Sequence, residues 1–273
     1  MSDNDSLRRR ETAPDDDIVC EKRGRIGWIR FNRPGARNAM TWRMYEALAQ
    51  ACERFDKDEE VILIALRGEG GEAFVAGTDI TQFVDFTTPE DGIDYERRID
   101  AIIGGLERVE TPTVALIDGY CVGGGAAIAL ACDFRYANEA FKFGIPIAKT
   151  LGNCMSITNV SRLVDCLGVA RTKRVLMLAR MIEAEEAAAV GLLDGVVAGG
   201  ELDGCAEALA ERLAGHAPLT MRAAKRCVNQ VLETRRPASD AADDLIARCY
   251  TSEDFRGAVR RFVDKTPYTW QGR

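Results

Sequence analysis

The 273-residue sequence contains a single histidine, His216. That excludes a two-histidine metal site within one chain. Its nine cysteines include no Cys-x-x-Cys pair, which argues against a thiolate zinc site. An odd, dispersed cysteine set also argues against a disulfide scaffold. Reduced thiols in a cytoplasmic protein are expected, with Cys52, Cys121, Cys132 and Cys166 as small core residues. No apolar run approaches the ~20 residues of a membrane span. The N-terminal stretch "MSDNDSLRRRETAPDDD" lacks the apolar segment of a secretory signal. Residues 1–16 are expected to form a disordered tail. Lys and Arg number 36 against 43 Asp and Glu, giving a net charge of −7 and a pI near 5.1. This balance speaks against a nucleic-acid partner, though not against a local basic patch for a phosphorylated ligand. Neither a G-x-G-x-x-G fingerprint nor a P-loop Lys-Ser/Thr is present.

What is there reads as an α/β chain. "DIVCEKRGRIGWIRFNRP" predicts two strands turning at Gly24, and Pro34 ends the second. "NAMTWRMYEALAQACERFDKD" predicts a helix capped by Thr41, with Met44, Leu48, Ala51 and Phe55 at helical spacing. "VILIALRG" and "TPTVALID" are continuous apolar runs of buried-strand length. "EGGEAFVAGTDITQF" reads as a glycine-rich turn with an apolar centre, and "TPEDGIDYERRIDAIIGGLERVE" as a helix. Strands alternate with helices over the first 200 residues, and helices dominate the remainder. A core over residues 17–200 and a helical region over 201–273 are therefore expected.

The most informative stretch is "GYCVGGGAAIALACD" (119–133). Gly123, Gly124 and Gly125 stand between a predicted strand and a helix of small apolar residues. Glycine lets a ligand approach the backbone, and a helix N-terminus offers unpaired N–H groups. The triplet thus suits an anion or a developing oxyanion. A tight turn that packs helix on strand explains it equally well. A second glycine-rich turn, "VAGTDI", also follows a predicted buried segment, and two such turns could aim two N–H groups at one carbonyl oxygen.

Five ordered motifs resemble the enoyl-CoA hydratase/isomerase (crotonase) family over roughly residues 18–270. They are "NRPGARNAM", "FVAGTDITQF", "GYCVGGGAAIALACDFRYA", "FKFGIPIAKTLG" and "RRFVDK". The resemblance implies a spiral of ββα units, with a helical C-terminal region that forms a homotrimer or a hexamer built as a dimer of trimers. It implies an acyl-CoA thioester substrate and no separate cofactor. The thioester oxygen would sit between the backbone N–H groups of Thr78 and Gly124. Ala36, Arg37, Ala76, Asp79 and Ile80 would lie against coenzyme A. Phe262 and Lys265 match positions that reach it, commonly from a neighbouring subunit, although an amphipathic helix with a solvated lysine accounts for those two as well.

The chain departs from the family pattern at two places. Where the hydratases carry their two glutamates, Ala127 and Ile147 stand here. A positioned acid or base contributes typically ~10²–10⁴ in rate, so the usual water addition is in doubt. Candidate replacements are Tyr95 and Glu96, on a helix whose counterparts flank the acyl pocket, with a solvated face as the alternative for Asp94, Tyr95, Glu96 and Asp100. In an aryl-CoA dehalogenase branch an aspartate nucleophile occupies a loop comparable to "KTLGNCMS". Asn153 and Cys154 are nearest to it here, as a hydrogen-bond donor and as a thiol that is either reactive or a buried core group. Lys149 either faces the acyl group or solvent, and Asp133 is expected to be structural. Three functions remain open: an enolate-stabilising acyl-CoA enzyme with non-standard acid/base groups, a malonyl-type acyl-CoA decarboxylase, and a non-catalytic acyl-CoA-binding homologue.

Overall fold

The computed structural model describes the backbone of Arg9–Arg10 and residues 17–273. Within the segment expected to be a disordered tail, β1 (Arg9–Arg10) pairs antiparallel with Glu21–Lys22; the rest of residues 1–16 lies outside the described residues. Among the described residues no helix is long and apolar enough to cross a membrane.

β2 (Ile18–Arg23) and β3 (Ile26–Phe31) form a hairpin through Gly24, whose φ of 57° suits glycine. β3 continues in parallel register to β4 (Leu63–Gly68), β6 (Thr113–Ile117), β8 (Phe134–Asn138) and β11 (Gly195–Val197). The resulting seven-stranded sheet is covered on both faces. Ile29, Phe31, Ile64, Leu66, Ala115 and Ile117 join the main core with α1 (Trp42–Asp56), α2 (Pro89–Arg108) and α3 (Gly124–Ala131). Their alternates Trp28, Leu63, Ala65, Val114 and Leu116 pack on α7 (Leu202–Ala214). Two buried faces are why these strands read as continuous apolar runs. Thr41 caps α1 as expected, accepting from Met44 N at 3.2 Å, and Asp133 is structural: it accepts from Thr113 and from Lys225 Nζ (2.7 Å).

A second sheet carries the site. It runs β5 (Ala73–Ala76), β7 (Tyr120–Val122), β9 (Lys142–Gly144) and β10 (Ile182–Glu183), with the first three parallel. β5 corrects the reading of its segment as only a turn. Register pairs Ala76 with Val122, and Val122 with Gly144. Three strands therefore end level, and the residues following each emerge side by side.

The remaining helices are α4 (Ile147–Thr150), α5 (Ile157–Met177), α6 (Ala184–Ala189), α8 (Pro218–Arg235), α9 (Asp243–Tyr250) and α10 (Glu253–Val263). α5 kinks at Gly168, where φ is 72°. α9 packs along α2, and α10 packs on the short turn Ile80–Phe83.

Candidate active site

A cavity of about 220 Å³ lies at the level ends of β5, β7 and β9. Gly77–Thr78, Gly123–Gly124 and Ile145–Ile147 form one wall. Tyr95, Glu96 and Ile99 of α2, the segment carrying Leu151, Asn153 and Met155, and Phe262 of α10 form the others. Ligands of open α/β sheets bind at such carboxyl ends of strands.

Glycines set this geometry. Gly77 (φ 93°) and Gly123 (φ 56°) each turn the chain in the left-handed region just before Thr78 and Gly124. A Cβ on Gly123 would stand 3.3 Å from the Cα of Gly77, so the two turns touch. Gly124 is the first residue of α3, where a backbone N–H has no carbonyl partner within the helix. The third glycine has a packing role: a Cβ on Gly125 would run into the carbonyl oxygen of Val75. The triplet thus combines both explanations open from the sequence, a turn that exposes backbone and a close helix–strand contact.

Thr78 is held by its side chain. Its Oγ1 lies 2.9 Å from the Tyr45 hydroxyl and 2.8 Å from the Tyr95 hydroxyl. Tyr45 is fully buried, and its hydroxyl fills the space a Gly124 side chain would occupy. The Tyr95 ring is wedged edge-on between Phe83 and Trp42, with centroids at 4.9 and 5.4 Å. Burial raises both phenol pKa values, so both stay protonated at neutral pH.

Glu96 provides the one carboxylate in the cavity wall. Gly92, one turn earlier on α2, leaves room for the Tyr250 ring. The Tyr250 hydroxyl donates to Glu96 at 2.7 Å, and the Ser156 N–H, at the cap of α5, donates at 2.9 Å. These bonds favour the charged form, but burial outweighs them and pushes the carboxyl up to about 7. Asp100, one turn on, accepts from Ser156 Oγ (2.6 Å) and Asn159 Nδ2 (2.9 Å), and burial raises its pKa too.

Of the residues singled out from the sequence, Ala76, Thr78, Ile80, Tyr95, Glu96, Gly124, Ala127, Ile147, Asn153 and Phe262 line this cavity. The solvated-face alternative therefore fails for Tyr95 and Glu96. Asn153 donates to the Tyr250 hydroxyl at 3.2 Å, and its Oδ1 is buried without a protein partner. Cys154 is a correction: it does not line the cavity. Its thiol contacts Met155 O at 3.3 Å and hydrogen-bonds with Cys249, and that bond together with burial raises its pKa. Lys149 and Lys265 are exposed and stand outside the cavity wall. So do Ala36 and Arg37, on the turn Pro34–Ala36 and just after it, with Arg37 beside Glu72 and the Tyr120 ring. Asp79 is tied to Arg33 at 2.7 Å and caps the Ile80–Phe83 turn. Phe262 lines the cavity of its own chain. Tyr45, Met155 and Asn159 were missed. Tyr45 shares the helical spacing of Leu48 and Cys52 on α1, which was the available signal.

The chain belongs to the enoyl-CoA hydratase/isomerase family, whose model matches residues 21–273. Among its relatives, the short-chain-enoyl-CoA hydratase of Clostridium acetobutylicum is 29% identical over 249 residues, covering 91% of this chain and 95% of that protein. A probable enoyl-CoA hydratase of Rhizobium meliloti is 33% identical over 253 residues, with coverage of 91% and 95%. The crystal structure of an enoyl-CoA hydratase/carnithine racemase from Magnetospirillum magneticum superposes with a TM-score of 0.76 at 29% identity, covering 99% of each chain. The fold is thus the crotonase α/β fold with a helical C-terminal region.

Proposed function

We propose that the protein processes acyl-CoA thioesters by moving a proton at the carbon next to the thioester, with Glu96 as the acid/base group. The observation that carries this is a buried carboxyl, poised near 7, that lines the same cavity as Thr78 and Gly124. In this reading the N–H groups of Thr78 and Gly124 hold the thioester oxygen and stabilise the enolate. Glu96 takes the place of the two carboxylates whose positions hold Ala127 and Ile147. A base with a pKa near the working pH combines ionised fraction with proton affinity.

Water addition to an enoyl-CoA is the second reading, favoured by the hydratase names of the relatives. Decarboxylation of a malonyl-type thioester is not favoured. Among the described residues the cavity wall contains no Lys or Arg to receive the substrate carboxylate, and Glu96 would repel it. A neighbour in fold, a methylmalonyl-CoA decarboxylase with a TM-score of 0.84, is 23% identical and shows the fold alone.

The test is mass spectrometry in D₂O. Butyryl-CoA should gain deuterium at the carbon next to the thioester, and crotonyl-CoA reports separately on water addition. Butyryl-CoA that binds without exchange overturns the assignment and leaves the acyl-CoA-binding homologue. A homotrimer or hexamer accompanies this reading. It is supported by α8, which buries none of its residues and exposes Leu219, Val228 and Val231. Analytical ultracentrifugation showing a monomer would overturn that part.

A further inference from the structure

Tyr45, Thr78 and Tyr95 form a row of three hydroxyls joined by two hydrogen bonds of 2.9 and 2.8 Å. Three hydroxyls carry three protons, and two bonds consume two. One O–H in this buried row is always left over, and a buried donor without an acceptor costs about 1–3 kcal/mol.

Burial decides where it resides. Tyr45 is 0% exposed and its hydroxyl bonds to Thr78 Oγ1, so its proton belongs in that bond. Thr78 then donates its own O–H to the Tyr95 oxygen. Both phenols line the cavity, and Tyr95, at 8% exposed, is the more open of the two. The surplus proton therefore emerges there. Each bond in such a row polarises the next and strengthens the final donor.

We propose that the Tyr95 hydroxyl is a third hydrogen-bond donor to the thioester oxygen, alongside the N–H groups of Thr78 and Gly124. The three are close together: Thr78 Oγ1 is 2.8 Å from Tyr95 and 3.4 Å from where a Gly124 Cβ would stand. Tyr95 touches substrate and is catalytic, whereas Tyr45 orients the row. No proton leaves Tyr95 in this role. It donates a hydrogen bond that shortens as the oxygen becomes an enolate. This rests on the backbone-donor reading above.

The test uses the full-length protein and an arylacrylyl-CoA, a conjugated thioester whose absorption shifts to the red when its carbonyl is polarised. Wild type should shift it. Tyr95→Phe should lose most of the shift and drop kcat about 100-fold, the usual effect of removing one such donor. Tyr45→Phe, which leaves Thr78 its proton for Tyr95, should lose less of the shift. A merely structural role for Tyr95 would lower thermal stability and leave the shift of the bound thioester intact. Tyr95→Phe with the full shift and undiminished kcat overturns the proposal alone, as does a reversed order of the two variants. Wild type that binds the thioester without any shift overturns the backbone-donor reading as well. Should Tyr95→Phe not fold, 3-fluorotyrosine placed site-specifically at position 95 gives a more acidic phenol. A larger red shift is expected, and an unchanged one overturns the proposal.

Discussion

The Tyr250 hydroxyl donates to Glu96 Oε1 at 2.7 Å, joining α9 to α2 across 154 residues of sequence. The bond secures a carboxyl whose ionised form burial opposes, and it makes the protonation of Glu96 a property of the assembled fold.

Deuterium exchange into butyryl-CoA is expected to rise with pH and level off above about 7, as Glu96 ionises. Glu96→Gln should lower the rate by ~10²–10⁴ and remove that limb. A pH–rate profile on both proteins checks it. A profile unchanged in the variant would exclude Glu96 as the base.

The same carboxyl has a stability signature. Its ordinary pKa of 4.5 is raised to about 7 on folding, so between those values the folded chain holds a proton that the unfolded chain has lost. Stability from this group is therefore lost as pH rises across that window. Relative to Glu96→Gln, wild type should weaken by about 3 kcal/mol between pH 4 and pH 8. Urea unfolding at the two pH values measures it, and a constant gap between the proteins would contradict the shift.

Glu107 runs the other way. Its carboxylate is held by Arg162 (2.9 Å) and Arg236 (2.7 Å). Burial raises its pKa, but the arginine hydrogen bonds and charges dominate and hold it down at about 2. Its contribution is present above the ordinary carboxylate value near 4.5 and is lost as pH falls toward 2. Glu107→Gln leaves two largely buried guanidinium groups without their anion and is expected to cost about 3–5 kcal/mol at neutral pH. Thermal unfolding of the pair from pH 7 to pH 3 should show the difference shrinking.

Two glycines should respond oppositely to alanine. Gly125→Ala drives a methyl into the Val75 carbonyl and is expected to destabilise by at least the ~1–3 kcal/mol of overpacking. Gly105, exposed on α2 with open space around it, should gain about 1 kcal/mol as alanine through helix propensity. Denaturant midpoints compare them directly.

The glycine turns at the cavity were legible in the sequence. Glycine types at fixed spacing after apolar runs say where the chain turns, and that information is local. The side chains proposed to handle protons were only partly legible. Glu96 was visible as a candidate, but its burial depends on Gly92 admitting Tyr250 and on Ser156 arriving from the cap of α5, both contacts between distant segments. The strand β5 was obscured by its glycine-rich flanks. Tyr45 looked like one more apolar position of α1, because spacing reveals a buried face without revealing where a hydroxyl ends. The displaced Cys154 follows from the partner it found in Cys249, on a helix nearly a hundred residues away.

Because β5, β7 and β9 end level through sheet register, the candidate electrophilic contacts belong to the main chain and depend little on side-chain identity. The groups that would manage protons sit on other elements, chiefly α2. In the proposed reading, the acid/base role falls to Glu96, with Ala127 and Ile147 in the cavity wall, while the backbone turns at Thr78 and Gly124 stay as they are. Under that reading, the main chain that holds an acyl group and the side chains that set its chemistry can therefore change independently.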